Sequence, residues 1–165
     1  MTNREFFIQR FGAERPAFVN VLRAMPSDQL AYKPHERNTA AGDLAWFLVL
    51  ELRRLVELLE KGETHWEQPD RPGTTDAIVA AYEAAADDMT RVLGATGDEQ
   101  WEREGSMFYN GKLMMKRPAG EIIWNFFFDA IHHRGQLTVY LRPMGGKVPS
   151  TYGPTADTKG QADTK

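Results

Sequence analysis

The sequence predicts an all-α protein, a bundle of four amphipathic helices with a short hairpin or loop excursion before the last helix. Three observations predict it. Apolar residues recur at helical spacing over four long segments. Start and stop signals bound those segments. A lone Asn110-Gly111 pair, flanked by apolar residues, marks the connection into the last segment as a two-residue hairpin.

Thr2-x-x-Glu5 is a capping box that opens a first helix over residues 3–25. Phe7, Phe11, Phe18, Leu22 and Met25 share one face of it. Pro16 lies inside the pattern and predicts a kink, because it removes a backbone bond and crowds the carbonyl of Gly12. A second helix is expected over residues 40–61, with Leu44, Phe47, Leu48, Leu55 and Leu59 as its apolar stripe and Gly62 as its stop. ETHWEQPDRPG then reads as a loop from its proline and glycine content. A third helix, residues 75–95, carries Ile78, Tyr82, Ala85, Met89 and Val92 on one side and Glu83, Asp87 and Arg91 on the other. Thr75 is its expected cap, and Gly94 and Gly97 close it. MFYNGKLMM follows as the hairpin or ordered excursion, either shaping a site or simply covering the core. The fourth helix runs over residues 118–142, beginning at Pro118, where proline is tolerated.

Composition bounds the function classes. A chain of 165 residues, 42% hydrophobic and 26% charged, suits one globular domain, expected over residues 1–157. Residues 158–165, with a repeated ADTK, read as a disordered tail. No apolar run approaches the ~20 residues that span a bilayer. MTNREFFIQRF offers no apolar signal segment, so the expected location is the cytoplasm. The absence of cysteine removes disulfides, thiolate nucleophiles and Cys-ligated zinc. A net charge of −3 without a basic block argues against nucleic acid as a partner.

The segment FFFDAIHHRGQL puts polar groups where a core is expected. At ~100° per residue, Asn125, Asp129, His132, His133, Gln136 and Tyr140 fall on one face of the last helix, among Trp124, Phe127, Phe128 and Ile131. Arg134 leaves that stripe and is read as structural. It can pair with acids on a neighbouring helix, a contact worth ~0–1 kcal/mol if exposed. Asp129 and His133, at i and i+4, can reach one ion such as Zn²⁺, Ni²⁺, Mn²⁺ or Fe²⁺. A structural Asp–His hydrogen bond explains the same pair. His132 is a ligand, a second-layer group or a helix–helix hydrogen bonder. A catalytic zinc site needs a third protein ligand. The facing stripe of the second helix is Asp43, Phe47, Glu51, of which Glu51 can serve and Phe47 cannot. His35 and His65, in expected loops, either reach in or remain solvated.

FDAIHHRGQLTVYLRPMGGKVPSTYGP resembles the C-terminal signature of the DinB/YfiT-like superfamily, and DQLAYKP and AGDLAWFLVLE follow in the matching order. The resemblance extends to about residue 157. It implies an up-down-down-up four-helix bundle, often dimeric, so a homodimer is expected. Many such proteins hold a divalent metal through three histidines, and some relatives act with small thiols such as mycothiol and bacillithiol. Carried over, the ligand positions fall on Phe47, Asp129 and His133. The triad is therefore degenerate, with Glu51 as the candidate third ligand. One reading is a metal-dependent transferase or hydrolase acting on a small molecule, in which Glu51 or His132 moves protons. The other is a non-catalytic bundle that has lost tight metal binding and serves as a small-ligand or stress-related dimeric module.

Overall fold

The structure, a computed structural model, describes residues 1–159. Among them are five α-helices and one three-stranded sheet. The expectation of four helices and a hairpin is therefore short by one brief helix and one strand.

Helix α1 (Asn3–Arg23) opens with the expected capping box. The Thr2 hydroxyl accepts from the Glu5 N–H at 3.2 Å, and the Glu5 carboxylate accepts from the Thr2 N–H at 2.7 Å. The helix continues through Pro16. Helix α2 (Ala41–Lys61) ends at Gly62, whose φ of 80° is open to glycine at little cost and whose N–H donates to the Leu58 carbonyl. Helix α3 (Thr75–Ala95) is capped by Thr74 and not by Thr75. The Thr75 hydroxyl is buried and donates instead to the Met25 carbonyl at 3.0 Å, tying α3 to the chain just past α1. Gly94 lies inside α3, and Gly97 caps the short helix α4 (Asp98–Glu102).

The segment read as a loop is partly a strand. β1 (Glu63–Trp66) pairs in parallel with β2 (Glu104–Tyr109), with Thr64 opposite Met107. Four residues carry too little periodicity to reveal a strand whose partner lies beyond α3 and α4. The hairpin is present: β2 turns through Asn110 and Gly111, with φ of 49° and 73°, into antiparallel β3 (Lys112–Pro118). Positive φ at both central positions is the conformation that Asn-Gly favours. Helix α5 (Ala119–Leu141) follows directly. Its Gly120 lets the Trp101 indole close in, since a Cβ there would lie 2.2 Å from the indole nitrogen.

Helix α2 packs against α3 and α5, and α1 packs against the same two helices. The expected core faces of α1 and α3 are buried throughout, and Ile122, Ile123, Phe127 and Leu137 complete the core from α5. Burying each such large side chain contributes ~1.5–3 kcal/mol. Phe47 alone among the expected α2 stripe residues is only half-buried. Among the described residues, no helix is long and apolar enough to cross a membrane.

Arg134 is structural, as its direction on the helix implies, but it is buried and not at the surface. It donates to Glu14 of α1 at 2.7 Å and to the Tyr152 hydroxyl at 2.5 Å, and that hydroxyl donates to Glu14 at 2.8 Å. Its guanidinium also lies over the Phe18 ring, 4.5 Å from the centroid. The C-terminal segment is thereby fastened to the helices. Its end turns at Thr155, whose carbonyl accepts from the N–H groups of Thr158 and Lys159. The remainder of the expected disordered tail, residues 160–165, lies outside the described residues.

Burial alone would raise the Glu14 pKa, but hydrogen bonds from Arg134, Tyr152 and Arg10 outweigh it and hold the carboxyl below its usual value. A depressed carboxyl stabilises the fold above its unfolded pKa and loses that contribution as pH falls through the carboxylate range. Removing one member of a buried ion pair costs ~3–5 kcal/mol where the other is left unpaired, but Glu14 keeps Arg10 and the Tyr152 hydroxyl when Arg134 is lost. Arg134→Met should therefore lower unfolding free energy in urea at neutral pH, by less than that amount. Adding Glu14→Gln to it should restore a large part. A double variant no more stable than the single one would show that the pair itself is not the source of the loss.

Candidate functional site

The site lies where α2 faces α5, with β1 at its edge. On α5, Asp129 and His133 stand one turn apart, and the His133 Nε2 lies 3.2 Å from the Asp129 carboxylate. The His133 Nδ1 lies 2.8 Å from the Gln136 side-chain oxygen. Three members of the polar stripe are thus linked by direct contact. Both ring nitrogens face oxygens, and a neutral imidazole carries only one N–H. One of the two contacts therefore depends on a proton brought by the ring or by a partner.

Across from this pair stands Phe47 of α2. Its ring meets the His133 ring nearly edge-on, at 84° and 5.1 Å between centroids. One turn along α2, Glu51 is only 1% exposed. Neither of its carboxyl oxygens has a hydrogen-bond partner. Burial pushes the Glu51 pKa well up, and the neighbouring Asp129 carboxylate adds to the shift by charge repulsion and as an acceptor for the Glu51 proton. The two carboxyls are neighbours without a hydrogen bond of good geometry between them. A cavity of about 20 Å³ adjoins Glu51 on the core side, walled mainly by apolar side chains that include Phe7 and Phe11 of α1, Met89 of α3 and Phe126 of α5, and not by Asp129, His133 or Phe47. It has room for one group the size of water.

Two aromatic residues not singled out in the sequence complete the rim. Trp66 of β1 stacks at a tilt on Phe47, 4.8 Å between centroids, and lies nearly parallel to Phe126 of α5 at 6.3 Å. Trp66 escaped notice because its strand did. Phe126 was hidden in an aromatic run whose members face different ways.

The other candidates are placed elsewhere or at the edge. His132 is exposed beside His133, with 5.4 Å between rings. His35 is exposed in a turn, its Nδ1 accepting from the Arg37 N–H. His65 stacks on Phe108 at 4.9 Å and lies 3.6 Å from Glu63. Asp43 is paired with Arg71 at 2.8 Å. Tyr140 is buried against Tyr32. Asn125 is exposed.

The three positions that the resemblance assigns to a metal thus hold a carboxylate, an imidazole and a phenyl ring. Among the described residues, no three or more His, Cys, Asp or Glu side chains are grouped to hold a metal ion. The donor set as folded does not fit a three-ligand centre. The arrangement sets a buried carboxyl, Glu51, and an Asp129–His133 pair beside an aromatic surface.

The DinB family model matches residues 1–163. The uncharacterized protein YrdA of Bacillus subtilis is 24% identical over 157 residues, covering 93% of this chain and 90% of the relative. A DinB-like protein from Bacillus cereus superposes with a TM-score of 0.75 at 19% identity, covering 90% of this chain and 97% of that one. The mycothiol-dependent maleylpyruvate isomerase superposes with a TM-score of 0.53 at 14% identity, covering 88% of this chain and 64% of that one. At these identities the solved structures are alike in fold.

The raised Glu51 pKa has a direct consequence for stability. The native state holds a proton that the unfolded chain releases near pH ~4.3. Stability from this group is therefore greatest at low pH and declines as pH rises from the unfolded value toward the raised native one. Glu51→Gln keeps the shape and removes the titration. The variant should gain on the starting protein in urea melts as pH is raised above the ordinary carboxylate range. An unchanged difference in unfolding free energy across that range would contradict the raised pKa.

Proposed function

The chain belongs to the DinB family, and from that membership we propose that it binds a small organic molecule in the α2–α5 cleft without tight metal binding. Its four long helices are taken as the family's up-down-down-up bundle. One observation carries the reading: Phe47 fills a family ligand position with an apolar ring packed against His133. Asp129 and His133 remain as two donors. Glu51 could add a third only by giving up a proton that burial and Asp129 favour keeping. A divalent ion such as Zn²⁺, Ni²⁺, Mn²⁺ or Fe²⁺ is accordingly expected to bind weakly, and no reaction step is assigned to one.

A second reading, an enzyme, is favoured by the same carboxyl. A protonated Glu51 beside Asp129 and His133 is the arrangement of a general acid next to its proton acceptors. It would suit a transferase or hydrolase acting on a small molecule. The thiol dependence named for the isomerase rests, for this chain, on likeness of fold. A cytoplasmic location belongs to the same proposal.

Metal titration by calorimetry tests the first reading. Phe47→His should restore a three-donor set and tighten Zn²⁺ binding at least tenfold over the starting protein. Adding His133→Ala should abolish the gain. Tight Zn²⁺ binding by the unaltered chain, or no gain from Phe47→His, would overturn the proposal.

A homodimer formed by helix packing is also proposed. Phe6 of α1 and Phe128 and Val139 of α5 are exposed and offer apolar surface for it. Light scattering at micromolar concentration should give twice the chain mass of 18.7 kDa. A monomer mass would rule the dimer out.

A further inference from the structure

We propose that the groove between α1 and α5 binds a small monocarboxylate with an aromatic body, its carboxylate on Arg10 and its ring against Phe6, Trp124 and Phe128. This site goes beyond the α2–α5 cleft, since none of Phe47, Glu51, Asp129 or His133 lines it.

Charge sets the head group. Arg10 of α1 and Arg134 of α5 share one acid, Glu14, at 2.9 Å and 2.7 Å. Among the described residues, neither arginine has another acidic partner. Two guanidiniums around one carboxylate leave an excess of one positive charge. Arg134 is buried and already donates to Glu14 and the Tyr152 hydroxyl. Arg10 is the open member of the cluster. Its side chain is 43% exposed and lines the groove, and one of its N–H groups donates to Glu14. A guanidinium carries five such donors, so most are left for a ligand. A planar carboxylate matches that fork with two parallel hydrogen bonds and cancels a single charge. An incoming ammonium would meet like charge.

The walls set the body. Phe6 and Trp124 lie 5.9 Å apart between centroids at 31°, and Trp124 and Phe128 lie 5.4 Å apart at 30°. The three rings therefore form one shallow aromatic strip across the two helices. Phe6 and Phe128 are 40% and 60% exposed, so the strip is open to solvent. Its middle is fixed: the Trp124 indole donates to the Asn3 side-chain oxygen at 3.0 Å, which also accepts from Trp101 at 3.1 Å. A flat aromatic body gains offset-stacking contacts on such a surface. The groove encloses about 530 Å³, within the range of small-molecule sites. Asn3, Phe6 and Arg10 follow one another along α1 over two turns, ~10 Å. A two-ring body with a short arm to its carboxylate fits that span.

Phe6 and Phe128 also lie on the surface offered for packing between copies. A homodimer seated on Val139, about three turns further along α5, leaves the groove open. One that covers Phe6 and Phe128 closes it.

The probes are 1-naphthylacetate, the uncharged 2-(1-naphthyl)ethanol, and acetate, which has the head group without the rings. Binding is followed by calorimetry and by the amide and indole N–H shifts of the full chain. Naphthylacetate should move the signals of Phe6, Arg10, Trp124 and Phe128 and bind at least about tenfold tighter than either control, as a charge-assisted hydrogen bond allows. Arg10→Gln should remove that advantage and leave naphthylethanol unchanged. Phe128→Ala, at an exposed position, should weaken both naphthyl ligands. Naphthylethanol binding as tightly as the acid would overturn the carboxylate. Shifts confined to Phe47, Asp129 and His133 would place the acid in the α2–α5 cleft and overturn the groove as its site. If the acid moves nothing, and the Phe6, Trp124 and Phe128 signals change on dilution, a second copy occupies the groove and the proposal fails. If the acid moves nothing and dilution changes nothing, it fails as well.

Discussion

The buried pair between Arg134 and Glu14 sets how α5 is turned, and the site depends on that turn. A helix has one rotational freedom about its axis, and ~100° separates neighbouring residues. With the Arg134 guanidinium held by Glu14, Tyr152 and the face of Phe18, His133 is carried round against Phe47 and Asp129 to the neighbourhood of Glu51. A rotation of one position would send the polar stripe into the apolar core. The ion pair therefore contributes orientation as well as stability. Tyr152 extends the same lock to the C-terminal segment, which is also tied to the end of α5 by the Arg142–Asp157 pair and packed through the buried Val148 and Met144.

Two buried glutamates show how environment divides one residue type into two roles. Glu14 is 5% exposed and accepts from Arg10, Arg134 and Tyr152, so it stays a carboxylate. Glu51 is 1% exposed, accepts from nothing, and faces another carboxylate. The first is fully satisfied and holds helices together. The second is left with unused bonding capacity next to a small cavity in the core. A fold selected only for stability would replace such a residue with leucine, as at the flanking positions Leu48, Leu52 and Leu55 that wall the same cavity.

Much of this was legible in the chain because it is local. The capping box at Thr2, the stop at Gly62 and the Asn110-Gly111 turn are decided by neighbouring residues, and each is where its chemistry puts it. The contact of His133 with Phe47 follows from helical periodicity and the resemblance in the last helix. What escaped depends on distant partners. β1 is a strand only because β2 lies beside it. The cap of α3 moved to Thr74 because Thr75 was claimed by the Met25 carbonyl. The depth of Arg134 was hidden because its partners come from both ends of the chain. Glu51 is a candidate ligand by its place on the α2 stripe, but its lack of a hydrogen-bond partner is set by its surroundings and not by its neighbours in the chain.

The parallel pairing of β1 with β2 has a consequence for how the cleft is made. Trp66 stands on β1, and β1 has no strand partner until α3 and α4 have been traversed and β2 has arrived. Closing so long a loop costs entropy before the strand contacts repay it. The helices, whose bonds are local, can organise earlier. The indole therefore settles against Phe47 and Phe126 only near the end of folding. A chain interrupted before that point has its helical frame and no finished rim, so the aromatic edge beside His133 is the last part to be made.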